Sequence, residues 1–160
     1  MLSIRILALG KIKELYLKQG LAEYSKRLSN MIRLSVVELP DEKLPEHLYP
    51  AEIERIQNIE GQRLWQSARA DEYVIALDIA GEQYSSEKLA DKLSQLSLKG
   101  QSSLCFMIGA SLGLSSVTLR QADLRLSFGA FTYPHQLMRL ILLEQIYRAC
   151  KINKGEPYHK

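Results

Sequence analysis

Glycines, hydroxyls, aromatic rings and imidazoles crowd closely enough to build a site in three stretches of the sequence: Gly109–Leu114 (GASLGL), Phe128–Leu137 (FGAFTYPHQL) and Asn153–Lys160 (NKGEPYHK). In the first, Gly109 and Gly113 lack a Cβ, so main chain there can approach a ligand closely or take positive φ. No Lys-Ser/Thr pair follows the second glycine and the spacing is not GxGxxG, which sets aside the common phosphate-cradling loops. The second stretch joins a Gly-Ala turn, aromatic rings and Thr132 to Pro134, which opens a helix whose first-turn N–H groups point at whatever lies before it. His135 at that helix start is either an acid or base or a capping and packing residue. In the third, Gly155 and Pro157 end a helix and separate Tyr158, His159 and Lys160 from it. A ring, an imidazole and a cation together suit RNA, the ring stacking on a base while the lysine meets phosphate; a frayed terminus is the plainer alternative.

Positioning these stretches requires a regular scaffold, and the apolar periodicity supplies one. LSIRILAL, IRLSVVEL, EYVIALDIA, SLCFMIG and DLRLSF read as strands, the third closed by Gly81. Helices are predicted over Glu14–Leu28, Ala51–Ala68, Lys88–Leu98, Ser115–Gln121 and Pro134–Lys151, with Ser85 or Ser86 capping the third. PDEKLPEHLYP, with its three prolines, is an irregular connection. The alternation implies a single α/β domain over 1–160 with an open, mostly parallel sheet. Ligands of such sheets bind outside the carboxyl ends of strands, here Leu77–Gly81, Gly109–Leu114 and Phe128–Pro134. The last helix is apolar around nearly its whole circumference, so it is either central or shared with a second subunit, and a homodimer is expected.

The bulk properties narrow the class. With 46% hydrophobic and 24% charged residues among 160, the chain has the composition of an ordinary globular domain. The apolar opening is too short for a signal peptide and no run approaches a membrane span, so a cytoplasmic protein without membrane contact is expected. Cys105 and Cys150 form no CxxC pair and have no histidine at ligand spacing, which makes them core thiols and gives no reason to expect a metal. Net charge is only +3, but it is segregated. Residues 1–30 carry six cations against two carboxylates, 148–160 carry four against one, and 38–60 carry seven carboxylates against two cations. Basic ends around an acidic middle suit a phosphate-binding surface, although a solvated charged face would look the same.

Taken together, Gly10-Lys11-x-Lys13 after the first strand, GxSxGL at 109–114, FxxxTxPHQLxR at 128–139, LxEQxYRAxKI at 142–152 and the terminal PYHK resemble the RlmH family of SPOUT-class methyltransferases. The likeness runs the length of the chain and is most specific in its last third. It implies a C-terminal trefoil knot, which connection rules would otherwise exclude, and a homodimer whose active site draws on both subunits. It further implies that S-adenosyl-L-methionine is bound by Leu77, Gly109, Phe128, Gly129, Ala130, Phe131, Thr132 and Tyr133. Tyr158, His159 and Lys160 then approach the substrate across the dimer interface, with His159 as base. The implied reaction places a methyl group on N3 of a pseudouridine in a 23S rRNA stem-loop at the subunit interface of the ribosome. Ala110 stands where the family has a second glycine. Arg148 either pairs with Glu144 at i,i+4 or contacts RNA. Two rival classes remain: a non-catalytic RNA- or ribosome-binding module, and a small-molecule hydrolase using His135. Saturable donor binding separates the first from a methyltransferase, and turnover without RNA marks the second.

Overall fold

The computed structural model describes residues 1–158. Strands and helices alternate as β1 (Ser3–Leu9), α1 (Leu15–Leu28), β2 (Arg33–Leu39), α2 (Pro50–Ser67), β3 (Tyr73–Gln83), α3 (Ser86–Leu98), β4 (Ser103–Ile108), α4 (Ser116–Gln121), β5 (Leu124–Ser127) and α5 (His135–Asn153). All five strands are parallel and lie in the order β2-β1-β4-β3-β5. The central pair is buried on both faces, which is why β1 and β4 read as continuous apolar runs. Ile4, Ile6, Leu104 and Phe106 face a core shared with α1, α3 and α5; Leu7, Leu9, Cys105 and Met107 face the opposite layer with Leu64 of α2. Cys105 has no exposed surface, and burial pushes its thiol up to about 12, so it stays an inert thiol. Cys150 is partly covered and its thiol is also raised by burial.

The helix starts follow their local chemistry. Ser85 Oγ accepts the Lys88 N–H and Ser115 Oγ accepts the Thr118 N–H, both at 3.1 Å, and Pro50 occupies the first turn of α2. Most element boundaries shift by a residue or two from the sequence expectation, and two of the differences bear on the site. Pro134 stands just outside α5 with ψ 131, so the helix begins at His135. β3 does not close at Gly81; its pairing with β5 jumps from Leu77↔Leu126 to Glu82↔Leu126, so Asp78–Gly81 bow out of the ladder and pairing resumes. Gly81 makes that possible, because a Cβ there would sit 2.7 Å from the Arg125 carbonyl oxygen.

Much of the apolar circumference of α5 is accounted for inside one chain. The helix lies between α1 and α3, and Leu142, Leu143, Ile146 and Ala149 have no accessible surface. Gly20 of α1 allows the close crossing, since a Cβ at that position would meet Leu140 Cδ2 at 2.9 Å. The helix is thus central in the chain, while Leu137, Leu140 and Ile141 stay partly exposed and leave a face for a second subunit. α5 also carries a buried cation: Arg139, 1% exposed, donates to the carbonyls of Leu9 (2.9 Å) and Gly10 (2.7 Å) and to Glu38 Oε2 (2.7 Å). The helix start is thereby pinned to the end of β1.

Candidate functional site

The carboxyl ends of β3, β4 and β5 enclose a cleft of about 220 Å³. Leu77, Gly109, Phe128, Gly129, Phe131, Thr132 and Tyr133 all line it, while Ala130 of the same loop does not. The segment after β4 folds back on itself. A Cβ on Gly109 would lie 2.8 Å from the carbonyl carbon of Gly113, and Gly113 takes φ +73 with its N–H on the Ala110 carbonyl at 2.9 Å. Gly109 is thus required for close approach and Gly113 for positive φ. Ala110 needs neither, since no residue other than glycine has positive φ among the described residues. From behind, Gln57 Nε2 holds the Leu112 carbonyl at 2.8 Å, fixing the loop to α2.

The loop after β5 is fixed by a serine. Ser127 Oγ donates to the Ile79 carbonyl (2.9 Å) and accepts the Gly129 N–H (3.1 Å), tying the bowed Asp78–Gly81 segment to the turn at Gly129, whose φ is +104. Asp78, whose Oδ1 accepts the Ala80 N–H at 3.1 Å, brings a carboxylate to the cleft. Ile108 and Met138 complete the wall. Their periodicity marks them as core, and only the topology reveals that their ends meet a cleft.

α5 begins at the cleft without a side-chain cap, which leaves its first N–H groups directed outward. His135 packs there rather than capping. Its Nδ1 is enclosed with no partner, and burial, reinforced by the nearby Arg139 cation, holds the ring below its ordinary value, hence neutral at neutral pH. Phe131 at the mouth is 79% exposed and Ile79 53% exposed, an unusual display of apolar surface beside a cleft.

The tail is placed elsewhere. Tyr158 does not hang free beyond Gly155 and Pro157; its ring meets Tyr147 edge-on at 4.8 Å, lies under the Arg148 guanidinium at 4.8 Å, and its hydroxyl donates to Glu144 Oε1 at 3.1 Å. Burial, a hydrogen bond with Tyr24 and the Glu144 carboxylate push the phenol upward from its ordinary value. Arg148 and Glu144 form the expected i,i+4 pair at 2.6 Å. His159 and Lys160 lie outside the described residues. Tyr147 is twelve residues from His135, about 18 Å along the helix. The resemblance has the tail reach the substrate across a dimer interface; of its residues only Tyr158 is described, packed on α5 and not in the cleft lining of its own chain.

Comparison with known proteins decides the family. The model of the family described as "Predicted SPOUT methyltransferase" matches residues 2–159. The chain belongs to that family. It is 58% identical over 159 residues to the ribosomal RNA large subunit methyltransferase H of Carboxydothermus hydrogenoformans, covering 99% of this chain and 100% of that one. The protein of the same name from Clostridioides difficile is 55% identical with the same coverage. Among solved structures, the SPOUT chain superimposes with a TM-score of 0.51 on a methylase family protein of Haemophilus influenzae, at 12% identity and covering 98% of this chain and 70% of that one. A Legionella pneumophila methyltransferase solved with the cofactor SAM matches at 0.51, with 13% identity and coverage of 92% and 66%. At such identities these two likenesses speak for the fold.

Proposed function

We propose that this SPOUT protein methylates large-subunit ribosomal RNA, taking the methyl group from S-adenosylmethionine and delivering it to N3 of a pseudouridine. The observation that carries this reading is the convergence of three loops on one cleft, with two of them shaped by glycines that no other residue could replace without displacing backbone. The relatives at 58% and 55% identity, named rRNA methyltransferases, support the RNA substrate.

The residues present fit the donor. Gly109 and Gly113 bring main chain close, Leu77, Phe128 and Met138 give apolar walls for a flat ring system, and Asp78 and the uncapped start of α5 offer an acceptor and donors for its polar ends. The bound donor supplies an activated methyl on a sulfonium. The protein's own share is to align the acceptor nitrogen, keep water away and take the N3 proton as the new C–N bond forms and the C–S bond breaks. His159 is assigned the proton, Tyr158 a stacking contact and Lys160 a phosphate.

Those tail residues serve the cleft of a second copy. Within one chain Tyr158 packs on Tyr147, twelve residues along α5 from the helix start that borders the cleft. A homodimer in which each tail meets its partner's cleft fits that placement, and it also covers the exposed Phe131 and Ile79. The path of the chain supports a trefoil knot: the segment leaving β5 runs against the loops after both β3 and β4 before α5 packs on β1. With ribosomal RNA as substrate, a cytoplasmic location goes with this reading. The test is complementation between two inactive chains, one lacking residues 158–160 and one carrying Gly109→Val. Mixed and re-equilibrated, they should recover about a quarter of wild-type methyl transfer, as random pairing makes half the dimers mixed with one good site each. Failure to recover activity would place tail and cleft in separate roles. Saturable donor binding in calorimetry separates the enzyme from a non-catalytic RNA-binding module.

A further inference from the structure

A second cavity, of about 480 Å³, opens at the carboxyl end of β1 and shares one wall, His135, with the cleft. It is bounded by Lys11 and Lys13 after β1, by Glu38 and Asp41 after β2, and by Gln136. Glu38 is occupied within the protein, its Oε2 taking the Ile12 N–H at 2.8 Å and Arg139 at 2.7 Å, and Gln136 reaches the Lys11 carbonyl at 3.3 Å. The Asp41 carboxylate and the ammonium groups of Lys11 and Lys13 make no hydrogen bond or ion pair among the described residues. Nor does His135 spend its nitrogens: Nδ1 is enclosed and unpartnered, which leaves Nε2 as the one open to a ligand. Gly10, at φ +88, brings carboxylate and imidazole together. The point where a Cβ would stand is 3.3 Å from Asp41 Oδ2 and 3.7 Å from His135 Cε1, so any side chain there would fill the gap between them.

The groups around this cavity run in the order Asp41, His135, cleft. Around one edge of a pseudouridine ring the order is N1–H, C2 carbonyl, N3–H, and the N1–H is the hydrogen that uridine, joined to its sugar through N1, does not have. We propose that this cavity receives the acceptor nucleotide and that Asp41 reads the pseudouridine by accepting its N1–H. His135 then faces the C2 carbonyl through Nε2, N3 turns toward the cleft, and Lys11 and Lys13 meet flanking phosphates, which position the nucleotide without identifying it. The inference rests on the methyltransferase reading above and adds the element of discrimination to it. Asp41 is exposed and solvated in the free protein; once a bound nucleotide displaces that water, an acceptor placed for a substrate N–H disfavours the analogue lacking it, because the carboxylate then has no partner.

The experiment compares two ribosome preparations, one from cells lacking this methylation and one from cells that also lack the synthase making the target pseudouridine. Transfer of labelled methyl gives kcat/KM on each, and their ratio is the readout. Asp41→Ala should lower the ratio by about ten- to a hundredfold, the loss falling on the pseudouridine-bearing ribosomes. Asp41→Asn keeps a carbonyl acceptor and should fall between wild type and Asp41→Ala. Donor affinity by calorimetry and the thermal unfolding curve should match wild type in both variants. A ratio unchanged by both substitutions, or a wild-type enzyme that methylates both preparations alike, would overturn the assignment of Asp41 while leaving the methyltransferase standing. A wild-type protein that methylates neither would overturn both.

Discussion

One buried and one half-buried polar side chain hold the site's geometry, and each makes a measurable demand on the fold. Arg139 satisfies the carbonyls that end β1, and removing it leaves those acceptors without a donor, while Glu38, 40% exposed, can turn to water. Arg139→Ala should cost about 1–3 kcal/mol, read as a lower urea midpoint at unchanged slope. A neutral result would mean that water replaces the guanidinium. His135 demands something different. Burial and Arg139 lower its value from 6.5, so the unfolded chain takes up the proton at a higher pH than the folded one. The sign follows: stability is unaffected by this group above about pH 7 and falls as pH drops below 6.5 toward the folded value. His135→Gln should flatten that part of a stability-against-pH curve; an unchanged slope would assign it to the carboxylates instead.

At the level of elements, the glycine loop after β4 is the feature most exposed to a single change. Gly109→Ala puts a methyl 2.8 Å from the backbone of Gly113, a crowding worth about 1–3 kcal/mol that the loop can relieve only by opening. Donor affinity by calorimetry should fall by about five- to 150-fold while thermal unfolding stays cooperative, because the core beneath is untouched. Wild-type affinity would show that the loop is not part of the donor site. This loop was legible in the sequence, since glycine types and the end of an apolar strand announce a close approach. The bow at Asp78–Gly81 was not, because whether a strand resumes pairing depends on the register of β5, some fifty residues later. Arg139 shows the same limit: an arginine on an apolar helix gives no sign that its partners are carbonyls at Leu9 and Gly10. Periodicity alone could not say how much of α5 one chain covers; the packing of α1 and α3 shows that it covers most of the helix but leaves Leu137, Leu140 and Ile141 partly exposed.

For the whole molecule, Tyr158 packs on Tyr147 rather than lining the cleft of its own chain, and truncation tests what the tail does. Removing residues 158–160 takes away the ring packed on Tyr147, worth about 0.5–1.5 kcal/mol, so the protein should melt slightly lower yet remain folded. Donor affinity should hold, and methyl transfer to unmethylated ribosomes should fall by at least about a hundredfold, as expected for loss of a base. Full-rate transfer by the truncated protein would remove Tyr158, His159 and Lys160 from the reaction. The central place of α5 has one more effect, on how the protein comes into being. β1 is synthesised long before Leu142, Leu143 and Ile146, which help to seal its inner face. While α5 is still within the exit tunnel, the nascent chain holds a parallel sheet with one side only partly covered by α1 and α3, and its contacts of longest range are still missing. That core can close only after α5 has emerged.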